Sequence, residues 1–153
     1  MKKEIKNIKI IREFVVKLTN ELTTEQLNEV PEGFSNNIIW NIAHLISAQQ
    51  GVCYMRSGLP IVTDEKYFSL YKPGTKPEEF LDAEEIDRIK HLLFSTIDRF
   101  QLDFDQNVFV NYTTWTTRYG VEITNIDDIV NFLSFHEGLH IGYIMALKRC
   151  VKK

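Results

Sequence analysis

Cysteine is scarce: Cys53 and Cys150 are the only two in 153 residues. They are too few for a disulfide scaffold and too far apart for a C-x-x-C metal or redox motif. Both read as small core residues. Glycine and proline are also sparse, at seven and four, which tilts the composition toward helix and away from disorder. No apolar run approaches the ~20 residues of a membrane-spanning helix, so no membrane partner is expected. An excess of positive charge is missing as well. With 18 Lys and Arg against 21 Asp and Glu, the formal net charge is −3, and nothing on this scale would displace counterions from nucleic acid. The one basic cluster, Lys148, Arg149, Lys152 and Lys153, falls where a last helix would end, and there cations complement the free carbonyls. The N-terminal "MKKEIKNIKIIREF" mixes charges into a helical pattern instead of building a signal-peptide core, so a cytoplasmic location is expected.

What is present suits one soluble unit. The chain is 44% apolar and 25% charged, long enough for a single continuous core, and residues 1–153 are expected to form one domain. Ile5, Ile8, Ile11, Val15, Leu18 and Leu22 recur at threes and fours, which predicts a first helix from about Glu4 to Leu22. "TTEQLNEVPEGF" is a connection with room for one short helical turn. "NNIIWNIAHLISAQQGVCYMRSGL" holds no proline and stops at Gly58 and Pro60, so it predicts a second long helix, with Ser35 or Asn36 as its cap. Asn41, His44, Ala48 and Gly51 make a narrow stripe along it, open to a neighbouring helix or a ligand. A long loop with Tyr67, Phe68 and Tyr71 follows, of the kind that covers something. "DAEEIDRIKHLLFSTIDRF" begins at a capping Asp82 and predicts helix three. "VFVNYTTWTTRYGVEIT" predicts a short β-hairpin. Helix four then starts at Thr124 or Asn125 and runs to about Arg149. The expected architecture is all-α: an antiparallel four-helix bundle with a small β-hairpin between helices three and four.

Residues 136–140 read "HEGLH", which fits the H-E-x-x-H zinc-binding helix of many metalloproteases. A protease needs a third ligand, usually downstream. The remaining "IGYIMALKRCVKK" contains no His, Asp or Glu, so the protease reading fails from that side. An upstream residue can take the place. His44 lies midway along helix two, which in a bundle faces the middle of helix four, where His136 and His140 stand about 6 Å apart along one face. Three imidazoles would then converge on one cation. Each histidine taken alone fits a blander reading: a hydrogen-bonded core residue for His44, and a chance pair on a solvated face for the other two. Glu137, turned about 100° from His136, is a catalytic candidate and equally reads as a surface carboxylate. His91 lies on a polar face with Asp87 and Asp98, outside the site.

"WNIAH", with Trp40 four residues before His44, followed after a third helix and hairpin by "HEGLH", resembles the DinB/YfiT-like superfamily. The order, spacing and helix placement of these short motifs carry the resemblance over nearly the whole chain. It implies a four-helix bundle with a divalent-metal site on His44, His136 and His140, binding nickel, zinc or a related ion, and a tendency to dimerise. It further implies an enzyme of small molecules, either a transferase using a low-molecular-weight thiol or a hydrolase. Three imidazoles also admit iron or manganese. With neither cysteine facing the site, the nucleophile would be water or a thiol cosubstrate. Asn37, Asn41, Ser47 and Tyr143 are candidates to orient ligands or substrate, each also readable as packing. The competing expectation is a non-catalytic metal-binding or interaction bundle, with Tyr112, Trp115 and Tyr119 of the hairpin as a dimer face. Competition by protons is expected to weaken metal binding as pH falls through about 6.

Overall fold

The structure is a computed structural model and describes residues 2–152. Six α-helices and one two-stranded sheet occur among these residues. Helix α1 (Lys3–Thr19) buries Ile5, Ile8, Arg12, Val15 and Thr19. The spacing of three and four is as expected, but Arg12 and Thr19 occupy core positions while Ile11 and Leu18 are only half-buried. A residue's charge did not decide which face it lay on. Thr19 is accommodated because its hydroxyl donates to Val15 O at 2.9 Å. The short α2 (Thr24–Asn28) is closed by a reciprocal capping box between Thr23 and Gln26.

Helix α3 (Ile38–Gln49) is buried on every side. Its cap is Asn37, one residue past the two expected, and the Asn37 side chain accepts from Trp40 N at 2.8 Å. The helix does not run regularly to Gly58. It widens into a π-helical turn (Gln50–Tyr54), tightens to a 3-10 turn (Met55–Ser57) and ends on left-handed Gly58. Two contacts accompany the wide turn. Gln50 Oε1 accepts from Val62 N at 2.9 Å, and Gly51 lies under Phe68, where a Cβ would stand 3.3 Å from the ring.

The expected long loop contains a helix of its own, α4 (Glu65–Tyr71), capped by Asp64, with Tyr67 and Tyr71 buried. Helix α5 (Ala83–Asp105) starts at the expected Asp82 cap and buries Ile86, Ile89, Leu93, Ile97 and Phe100. Strands β1 (Trp115–Thr116) and β2 (Glu122–Ile123) pair antiparallel with Trp115 opposite Ile123, a far smaller sheet than the 108–124 segment suggests. Tyr112 donates to Val52 O and Trp115 donates to Tyr112 Oη, so both rings are tied inward, while Tyr119 is exposed. Helix α6 (Ile126–Val151) is capped by Asn125, with Asp127 and Asp128 in its first turn and Lys148 and Arg149 in its last.

The four long helices pack α1 on α5 and α6, and α3 on α5 and α6. Two apolar clusters result. One gathers Val15, Ile46, Leu93 and Ile144; the other gathers Ile8, Cys53, Ile97 and Leu133. At the seam between them each long helix contributes one buried polar residue: Arg12, Gln49, Thr96 and Glu137.

Candidate metal centre

Helix α3 is buried all round because α2, α4, α5 and α6 all pack against it, and this carries His44 into the interior at 5% exposure. Trp40, one turn earlier, stacks flat on its imidazole with centroids 4.9 Å apart and planes 10° apart. From the opposite strand of packing, α6 brings His136 and His140, both half-buried, one turn apart. The ring centroids of His44 lie 5.5 Å from His136 and 4.7 Å from His140. One ring nitrogen from each of the three lies within 4.8 Å of the others. This is a cluster that could hold a metal ion.

The hydrogen bonds fix which nitrogen is free. His44 Nδ1 is 2.6 Å from Tyr71 O, and a carbonyl only accepts, so Nδ1 carries the proton and Nε2 keeps its lone pair. His140 Nδ1 is 2.8 Å from Asn41 Oδ1. The Asn41 amide is itself oriented, since its Nδ2 donates to Asn37 O at 2.8 Å. Asn37 in turn donates to Asn28 O at 2.9 Å while capping α3. His140 is therefore also held with Nε2 as the available donor atom. This is the outer hydrogen bonding by which metal-binding histidines are oriented.

Electrostatics favour the same state. Burial lowers the His44 pKa below the ordinary histidine value, partly offset by the Tyr71 carbonyl. Burial, then the neighbouring charges of His44 and Arg12, lowers His136 to about 4. Burial, then His136 and His44, lowers His140 to about 3. Near neutral pH all three are uncharged, the form that binds a cation. The residues present thus fit a divalent metal by donor type, tautomer and charge.

Of the other sequence candidates, Asn41 touches a cluster histidine and Asn37 acts behind it. Ser47 donates to Phe68 O at 3.1 Å, so it anchors α4. Tyr143 packs edge-on to Phe34 at 5.5 Å. Glu137 is not a surface carboxylate. It is fully buried, and its Oε1 accepts from Arg12 Nε at 2.9 Å and Nη2 at 2.6 Å. Facing the seam, it has a guanidinium as its partner. The 67–71 segment lies against His44 through the Tyr71 carbonyl. Leu70 and Tyr71 line a small cavity beside Trp40 that includes none of the three histidines. The solvent-facing side of the cluster is that of His136 and His140. His91 and both cysteines lie outside it. The Tyr71 carbonyl was invisible in the sequence because any residue type supplies one; the i,i+4 spacing of Trp40 and His44 is a signal from which their contact could have been read.

A family model described as DinB superfamily matches residues 8–144. The chain belongs to the DinB superfamily. The match runs from within α1 through most of α6 and so includes every histidine of the cluster. No curated protein matches the chain. No helix of this DinB-superfamily member, among the described residues, is long and apolar enough to cross a membrane.

Proposed function

We propose that this DinB-superfamily protein is a metal-dependent enzyme acting on a small molecule, with His44, His136 and His140 holding the ion. The observation that carries the reading is the convergence of three neutral imidazoles within 4.8 Å, two of them with Nδ1 committed to an acceptor. Nickel or zinc is the proposed ion, with iron or manganese compatible with the same donors. A divalent ion there would supply Lewis acidity and lower the pKa of a coordinating nucleophile.

The chain's own residues set the class of reaction. Cys53 is fully buried and its thiol is pushed up by burial, so it does not act as a thiolate. Cys150 lies ten residues beyond His140, about 15 Å along the helix. The nucleophile therefore comes from outside the chain. The two proposed reactions are S-transfer from a low-molecular-weight thiol and hydrolysis. Trp40, Tyr71 and Asn41 hold the ligands and exclude water from the His44 side, leaving substrate to approach past His136 and His140. The rest of the reading is one domain over residues 1–153, an antiparallel four-helix bundle with its hairpin between the third and fourth long helices, a cytoplasmic location, and a homodimer.

The experiment is a comparison of metal-loaded and chelated protein on two panels: thiols with electrophiles, and esters with amides. Metal-dependent turnover in the first assigns a transferase, and in the second a hydrolase. Absence of turnover in both overturns the enzyme reading in favour of a non-catalytic metal-binding bundle, the alternative favoured by the closure of Trp40 and Tyr71 over His44.

A further inference from the structure

The polar seam lies one residue from the histidine cluster. Arg12 is fully buried on α1. Its Nε and Nη2 both donate to Glu137 Oε1 on α6, and its Nη1 donates to Leu93 O on α5 at 2.8 Å. Gln49 of α3 joins the layer by donating to Thr96 O at 3.2 Å. One guanidinium thus bonds two helices to a third.

A stability role explains this pair poorly. Removing two charges from water is costly enough that apolar residues of similar volume often serve as well or better. Here the pairing is also incomplete. Glu137 Oε2 and Gln49 Oε1 are buried and have no hydrogen-bond partner among the described residues. What an ion pair in an apolar seam does supply is registry, because any other rotation or axial shift of the helix would leave both charges unpaired. On α6 the residue so pinned stands between the two histidines. Rotating a helix by one residue turns its side chains by about 100° and advances them by about 1.5 Å. Either displacement would carry His136 and His140 away from His44.

We propose that Arg12 and Glu137 are positioning residues for the histidine cluster: their ion pair fixes the rotation and axial position of α6 that turns His136 and His140 toward His44. The inference rests on the metal-centre reading.

The test uses full-length protein and cobalt or zinc as the probe. The variants are the charge-neutral double substitution Arg12→Met with Glu137→Leu, and Arg12→Lys alone. The lysine keeps the charge balance but cannot reach Glu137 and Leu93 O together in the same fork. Three quantities are read: the metal dissociation constant by chelator competition, the visible spectrum of the cobalt form, and thermal unfolding of the metal-free protein. The expected result for the double variant is unfolding close to or above the wild-type temperature, with metal bound about 10- to 100-fold more weakly and an altered cobalt spectrum. Arg12→Lys is expected to show the same direction of change, and decides the question if the double variant does not fold. Wild-type affinity and an unchanged spectrum in the folded variants would overturn the positioning role while leaving the metal centre standing. Failure of the wild type itself to bind either ion would instead overturn the metal-centre reading, and this inference with it.

Discussion

Asn41 is the residue whose chemistry bears most directly on the cluster while holding no ligand atom. It accepts from His140 and is itself locked by Asn37 O. Asn41→Leu keeps the volume and helical character but removes the acceptor, leaving His140 free to rotate or change tautomer. The expected outcome is metal affinity lower by about 10- to 100-fold in a chelator-competition assay. An unchanged affinity would mean that the Asn41 contact does not orient the ring. The histidines also predict how the chelated protein responds to acid. With His136 and His140 lowered to about 4 and about 3 by burial, the folded state binds fewer protons than the unfolded chain, whose histidines titrate near 6.5. Stability is therefore fully present above about 6.5 and declines as pH falls toward the folded-state values. Thermal unfolding of chelated wild type is expected to show this decline, and a variant with all three histidines replaced by glutamine is expected to show a shallower one. Parallel profiles would remove the histidines as its cause. Burial thus moves protonation of the metal-free cluster below the pH of about 6 expected for unperturbed histidine.

Helices α3 and α6 are the elements that matter, and each reaches the cluster by a different route. Asn37 both caps α3 and begins the amide relay to His140, so Asn37→Ala is expected to cost about 1 kcal/mol through the lost cap. For a chain of this length that is a fall of ~2–4 °C in the unfolding temperature. A shift indistinguishable from zero would contradict the capping role. The long helices were legible because their apolar residues recur at threes and fours between clear caps, as at Asp82 and Asn125. Their burial was less legible where polar residues took core positions. Arg12 and Glu137 each look like solvated surface charges in their own helix, and only packing of α1 on α6 pairs them. The π-helical turn at Gln50–Tyr54 and the short α4 have no periodic signature long enough to read. The short hairpin was legible only in outline: a small two-stranded sheet forms, but only four residues pair, and most β-branched residues between 108 and 124, Val110 and Val121 among them, are exposed. The histidine cluster was the reverse case: its members were visible in the sequence, and the acceptors behind them were not.

For the whole molecule, a ligand that binds the native cluster stabilises it by mass action. At a free metal concentration 100 times the dissociation constant the gain is about 2.7 kcal/mol, or ~5–10 °C for a chain of this size. Thermal scans with and without chelator are expected to differ by that order, and coincident scans would indicate that no metal couples to folding. The central claim is that three histidines from two separated parts of the chain, one on α3 and two on α6, form a single site. Elemental analysis of untagged protein, comparing wild type with His44→Ala after identical metal reconstitution, tests it most directly. The account predicts about one divalent ion per chain in the wild type and loss of most of it in the variant. A folded wild type without metal, or a His44→Ala variant that retains the full complement, would contradict it.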